Sequence, residues 1–164
     1  MRHSGGFVVF LAVLVVTIAI ATGLTMANIT IKSLELSKAY RESIYAIYAA
    51  DTGAECALLW DVRAVELKGY YVFPTSTDST LPSAGNGITC LTVDIPAAWT
   101  HTANAKKATT TFQMNLSGPR CVIVEVAKDA TDWPIVKTSI LSRGYNTSCS
   151  FTSNTVERAI RVTY

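Results

Sequence analysis

Between Phe7 and Ile31 the chain carries no charged side chain. Charge is sparse elsewhere too: Asp, Glu, Lys and Arg make up 16% of the 164 residues and leave a formal net charge of +2, too small a field to draw the chain to nucleic acid or an anionic membrane. Histidine is scarcer still, with His3 in the polar start and His101 in Trp99-Thr100-His101-Thr102, which reads as a surface loop. There is no G-x-S-x-G, no H-E-x-x-H and no phosphate-cradling glycine loop, so hydrolase, zinc-protease and nucleotide-binding chemistry have no local signature. None of the cysteines forms a C-x-x-C pair, which argues against a zinc or redox site. Asp94, Asp129 and Asp132 do not have calcium-loop spacing. The expectation is a protein that is not an enzyme and uses no metal or cofactor.

What is present begins with that uncharged run. As a helix, Phe7 to Ile31 spans roughly 37 Å, enough to cross a hydrocarbon core of about 30 Å. Helix formers continue through Lys32-Ser33-Leu34-Glu35-Leu36-Ser37-Lys38-Ala39-Tyr40-Arg41-Glu42, with no Gly or Pro after Gly23 until Gly53. The simplest reading is one long helix, apolar in its first half and amphipathic in its second, ending near Trp60-Asp61 and at the latest by Lys68-Gly69.

A short polar start, Met1-Arg2-His3-Ser4-Gly5-Gly6, followed by Phe7 and such a helix resembles the N-terminus of type IV pilins and their minor-pilin relatives. The segment Tyr48-Ala49-Ala50-Asp51-Thr52-Gly53-Ala54-Glu55-Cys56-Ala57-Leu58 resembles PilX-type minor pilins. Ser142-Arg143-Gly144-Tyr145-Asn146 and the stretch from Val156 to Tyr164 resemble pilin-like surface proteins of that group. The resemblance implies a prepilin leader over residues 1–6, cut by a prepilin peptidase after Gly6, with methylation of Phe7. It implies a transmembrane and filament-core helix half over 7–31, then a helix continuation and an extracellular β-sheet domain over 32–164. In the family a Glu stands fifth after the cut and pairs with a neighbour's N-terminal amine; here that position is Leu11.

Other readings of the N-terminus stay open. Ala19-Ile20-Ala21 is an A-x-A pattern that a signal peptidase could cut, although the residues after it remain largely apolar. A permanent signal anchor carrying an unrelated external domain is the other. Arg2 alone precedes the span while Lys32, Lys38 and Arg41 follow it, so the charge flanks do not orient it for export.

Cys56, Cys90, Cys121 and Cys149 form an even set, which in an exported chain points to two disulfides. Of the three connectivities, sequence proximity together with the resemblance favours Cys56–Cys90 and Cys121–Cys149. Roughly 100 residues beyond the helix allow a single modest core. The run from Phe73 to Gly87 reads as a surface loop. Strands are expected at Ile88–Val93, Thr109–Leu116, Cys121–Ala127, Val136–Tyr145 and Thr155–Tyr164, with a hairpin turn at Ser117-Gly118-Pro119-Arg120. The fold class is therefore α+β and pilin-like, with the long helix packed on a mostly antiparallel sheet.

Ala46, Ala49, Gly53, Cys56 and Trp60, flanked by Ala50, Ala54 and Ala57, form a strip of small side chains that would let a sheet approach closely, with Trp60 at its lower end. Lys32, Glu35, Lys38 and Glu42 are spaced to form a solvated, charge-paired face. Asn115-Leu116-Ser117 and Asn146-Thr147-Ser148 match the glycosylation sequon, a match frequent by chance in a Ser/Thr-rich chain.

The expected function is a minor pilin or pseudopilin that initiates or caps a type IV filament. Its partners would be other pilin subunits, the prepilin peptidase and, before assembly, the membrane; its final place would be the extracellular pilus or cell surface. A major shaft pilin and a membrane-anchored binding or adhesin module are the alternatives. For the latter, the loops Tyr70–Gly87 and Asp94–Ala108 would supply contacts. Trp99, Lys106 and Lys107 would be the nucleic-acid candidates, a patch too thin to favour that partner.

Overall fold

The computed structural model describes residues 5–75, 82, 85–91, 93–95, 99–150 and 155–164. Helix α1 runs over Gly5–Val62, and a single-turn α2 over Ala64–Lys68 follows it. The chain divides into two compact units, Met1–Arg41 and Glu42–Tyr164.

In the first unit every residue from Gly6 to Arg41 is exposed, so the apolar stretch has no packing partner among the described residues. It is long and apolar enough to cross a membrane. Its threonine hydroxyls are turned back onto the helix: those of Thr17, Thr25 and Thr30 donate to the carbonyls of Leu14, Thr22 and Met26 at 2.8 to 2.9 Å, and Thr22 donates to Ile18 and Ala19 at 3.0 Å. Such back-bonding hides hydroxyls that lipid could not satisfy. No ion pair joins Lys32, Glu35 and Lys38.

The second unit is α+β. Strands β3 (Trp99–Ala103), β4 (Lys107–Leu116), β5 (Arg120–Asp129), β6 (Lys137–Tyr145) and β7 (Glu157–Thr163) form one antiparallel sheet in sequence order, each paired with the next. Alternation along β4 buries Thr110, Phe112 and Met114, and along β5 Val122, Val124 and Val126, so one face takes the core and the other meets solvent. The β4–β5 turn passes through Gly118, whose φ of 83° suits glycine. Phe112 stacks on Phe73 with ring centroids 6.1 Å apart. The end of α2 is capped by Gly69, in the left-handed region, with its N–H on the Val65 carbonyl at 2.9 Å.

Three expectations are corrected. Ile88–Val93 is not one strand: β1 (Thr89–Cys90) and β2 (Val93–Asp94) pair with each other, the chain reversing through Leu91 at a φ of 55°. The stretch Asp94–Ala108 is not all loop, because β3 lies within it and carries His101. Phe73, expected on a surface loop, and Val72 before it are buried core residues. Residues 76–81, 83 and 84 of the expected loop lie outside the described residues.

Candidate functional site

The features with functional weight are the start of α1 and the seam between α1 and the sheet. The expected leader residues Met1 to Ser4 lie outside the described residues. Gly6 and Phe7 are in the first turn of α1, and open space surrounds the position a Gly6 side chain would take. Leu11 stands one turn beyond Phe7 on the same side of the helix and is 49% exposed. No acidic residue occupies the first turn, and the first carboxylate after Phe7 is Glu35, roughly 42 Å along the helix. An amine freed at Phe7 would therefore meet no carboxylate on its own helix, while the positive end of the helix dipole disfavours it further.

In the second unit, the strip of small residues on α1 is the contact face. Ala46, Ala49, Ala50, Ala54, Cys56, Ala57 and Trp60 are buried. A Cβ on Gly53 would come within 2.5 Å of Ser142 Oγ and within 2.6 to 2.7 Å of Val122 and Val124. Gly144, the penultimate residue of β6, faces the same strip; a side chain there would strike the α1 backbone at Ala46, Ala49 and Ala50. Close approach thus depends on the absence of Cβ from both partners at two successive levels.

Polar groups clamp the two ends of the seam. At the upper end, Asn146 is buried and donates from Nδ2 to Glu42 Oε2 at 3.0 Å, while its Oδ1 accepts from the Val156 N–H at 2.7 Å. Arg158 donates to Ser43 Oγ at 2.9 Å, and the Arg120 guanidinium sits 5.0 Å from the Tyr45 ring centroid. Glu42 is therefore half-buried and bonded across the seam, correcting its expected place on a solvated charge-paired face. At the lower end, Lys128 Nζ lies 2.6 Å from Asp61 Oδ1, both side chains at least nine-tenths buried, and Tyr164 donates to Asp61 Oδ2 at 2.5 Å. Desolvation, with the Asp61 carboxylate beside it, holds the Tyr164 phenol well above its ordinary value. Trp60 donates from Nε1 to the Thr89 carbonyl at 3.1 Å.

The structure joins Cys56 to Cys90 and Cys121 to Cys149, with Cα atoms 5.9 and 5.3 Å apart. The first ties α1 to the β1–β2 hairpin, and the second ties the start of β5 to the segment after β6. Closing loops of this length stabilises by about 3–4 kcal/mol each in the chain-entropy account.

The remaining candidates are dispersed. His101 accepts from or donates to Thr110 Oγ1 at 3.0 Å, and burial lowers its pKa below the ordinary imidazole value. Trp99 is half-buried against Phe73, with ring centroids 6.4 Å apart, so its ring joins the core rather than forming an open platform. Lys107 is paired with Asp129 and Lys137 with Asp132, both at 2.7 Å. Lys107 and Thr131 hold the Asp129 carboxyl well below the usual range. Among the described residues no three His, Cys, Asp or Glu side chains are grouped to hold a metal.

Sequence reasoning missed Gly144 and the Asp61, Lys128 and Tyr164 network. A glycine inside a strand pattern was the available signal for the first; nothing local announced the second. No family profile, curated protein or solved structure matches the chain. A long N-terminal helix with an apolar first half, followed by an antiparallel sheet, is consistent with a pilin-like fold in general plan.

Proposed function

We propose that the chain is a minor pilin or pseudopilin, which waits in the membrane, loses residues 1–6 and then initiates or caps a type IV filament. The observation that carries this reading is the first half of α1, apolar on every side and packed against nothing among the described residues. Such a surface needs lipid or other helices around it. In a shaft of stacked identical helices each Phe7 ammonium would be buried, and Leu11 offers it no acceptor; an unpaired buried charge costs several kcal/mol. At a filament end that pairing is not required.

Purified filaments tested by peptide mapping and subunit counting should contain this chain starting at a methylated Phe7, in few copies beside a major subunit that carries the glutamate. An intact Met1, a start at Thr22, or filaments made wholly of this chain would reject the reading.

A surface binding module is the second reading. Its support is a cleft of about 320 Å³ in the sheet-bearing unit, lined by Tyr71, Phe73, Pro74 and Trp133, of which Tyr71 and Trp133 are largely exposed.

A further inference from the structure

Three asparagines stand in Asn-x-Ser/Thr sequences without an intervening proline: Asn28-Ile29-Thr30, Asn115-Leu116-Ser117 and Asn146-Thr147-Ser148. Their surroundings separate them. Asn28 belongs to the apolar half of α1, and the Thr30 hydroxyl is already bonded to the Met26 carbonyl at 2.9 Å. Asn146 is buried with both ends of its amide engaged, by Glu42 and by the Val156 N–H, so a substituent on Nδ2 would break the upper clamp of the seam.

Asn115 differs on each count. It is exposed, and among the described residues its side chain makes no hydrogen bond. By the alternation of β4 it lies on the solvent face of the sheet, opposite the face that takes the core. Ser117, two residues on, is exposed in the β4–β5 turn. The β3–β4 ladder ends at the Trp99–Phe112 pair, so among the described residues Asn115 and Leu116 have only β5 beside them. The acceptor amide and the hydroxyl at the required spacing thus meet at one exposed corner of the sheet.

We propose that Asn115 is a glycosylation site whose donor is a saccharide carried on a lipid diphosphate. Asn115 Nδ2 attacks the anomeric carbon. A C–N bond forms as the C–O bond to the diphosphate breaks, the electron pair leaves with the lipid diphosphate, and the proton lost from Nδ2 passes to a base of the transferring enzyme. The Ser117 hydroxyl is the group by which that enzyme holds the acceptor segment. A saccharide here projects from the solvent face and leaves the α1 seam untouched. The proposal rests on the export reading, since the donor and the chain must meet outside the cytosol.

The test is glycopeptide mass spectrometry on the full chain purified from the cells that make it. The peptide spanning residues 108–120 should carry a saccharide increment, and the peptide spanning 144–158 should carry none. Asn115→Gln and Ser117→Ala should each abolish the increment, whereas Ser117→Thr should retain it. A bare Asn115, a saccharide on Asn146, or an increment that survives Asn115→Gln would overturn the site. The N-terminal peptide of the same digest reads export separately: a start at Phe7 with a bare Asn115 sinks the glycosylation site alone.

Discussion

Gly144 of β6 lies against Ala46 of α1 so closely that a Cβ on Gly144 would run into the Ala46 carbonyl oxygen and stand 2.9 Å from the Ala49 carbonyl carbon. The obstacle is helix backbone, which cannot rotate away. Gly144→Ala should therefore destabilise the sheet-bearing unit by about 3 kcal/mol or more, the upper part of the range for overpacking. At Gly53 the obstacles are the side chains of Ser142, Val122 and Val124, which can shift. Gly53→Ala should cost less, roughly 1–2 kcal/mol, because a gain of about 1 kcal/mol in helix propensity offsets part of the clash. Urea unfolding of the full chain in detergent, followed by tryptophan fluorescence, checks the order; equal or reversed costs would contradict it.

Asp61 and Lys128 are a buried ion pair whose partners come from α1 and β5. Removing one partner leaves a charge without its counter-ion, so Lys128→Met alone should cost about 3–5 kcal/mol. Replacing both, with Asp61→Leu added, should recover much of that loss. A double-mutant cycle on the same unfolding transition measures the coupling. Additive single losses would mean that the pair contributes nothing beyond its packing.

Tyr164 carries the alkaline limit. Its phenol is held above the ordinary value of 10.0 in the folded chain, so above that pH the unfolded chain releases a proton that the folded one retains. Its contribution to stability is therefore complete below pH 10 and is lost as pH rises through the folded value. Tyr145, raised by burial and by Glu157, acts in the same direction. Tyr164→Phe should cost about 1 kcal/mol at neutral pH through the lost hydrogen bond to Asp61, and should make the fall in stability above pH 10 shallower. Thermal melts across pH 7 to 11 provide the comparison; an unchanged alkaline slope would show that Tyr164 does not set it.

Leu11→Glu tests the proposal that a missing carboxylate would keep this chain out of a filament shaft. A carboxylate one turn from Phe7 would give a neighbour's amine an acceptor, so shaft incorporation should rise several-fold by immunogold counting. If it does not rise, the missing carboxylate was not the limiting feature.

Much of the fold was legible because it rests on local pattern. The uncharged run from Phe7 to Ile31 dictates an apolar helix on composition alone, and period-two alternation at Thr110, Phe112 and Met114 marks both a strand and its inward face. The strip from Ala46 to Trp60 announced close packing, since small side chains at helical spacing form one continuous face. Less was legible where meaning depends on what lies opposite. Gly144 in isolation is a weak strand residue; only the Ala46 and Ala50 backbone above it makes the missing Cβ a requirement.

Asn146 shows the same division. By sequence it is a sequon equal to that of Asn115, and Glu42 is one more charge on a helix face. Tertiary structure brings residues 42 and 146 within hydrogen-bonding distance, turning one asparagine into a clamp and leaving the other exposed. Asp61, Lys128 and Tyr164 converge in the same way from the end of α1, from β5 and from the residue after β7. Periodicity and composition act within one segment, so the sequence by itself determined the helix, the strands and their buried faces. Which polar group meets which depends on strand register and helix placement across a hundred residues of chain, and only the folded structure decided that.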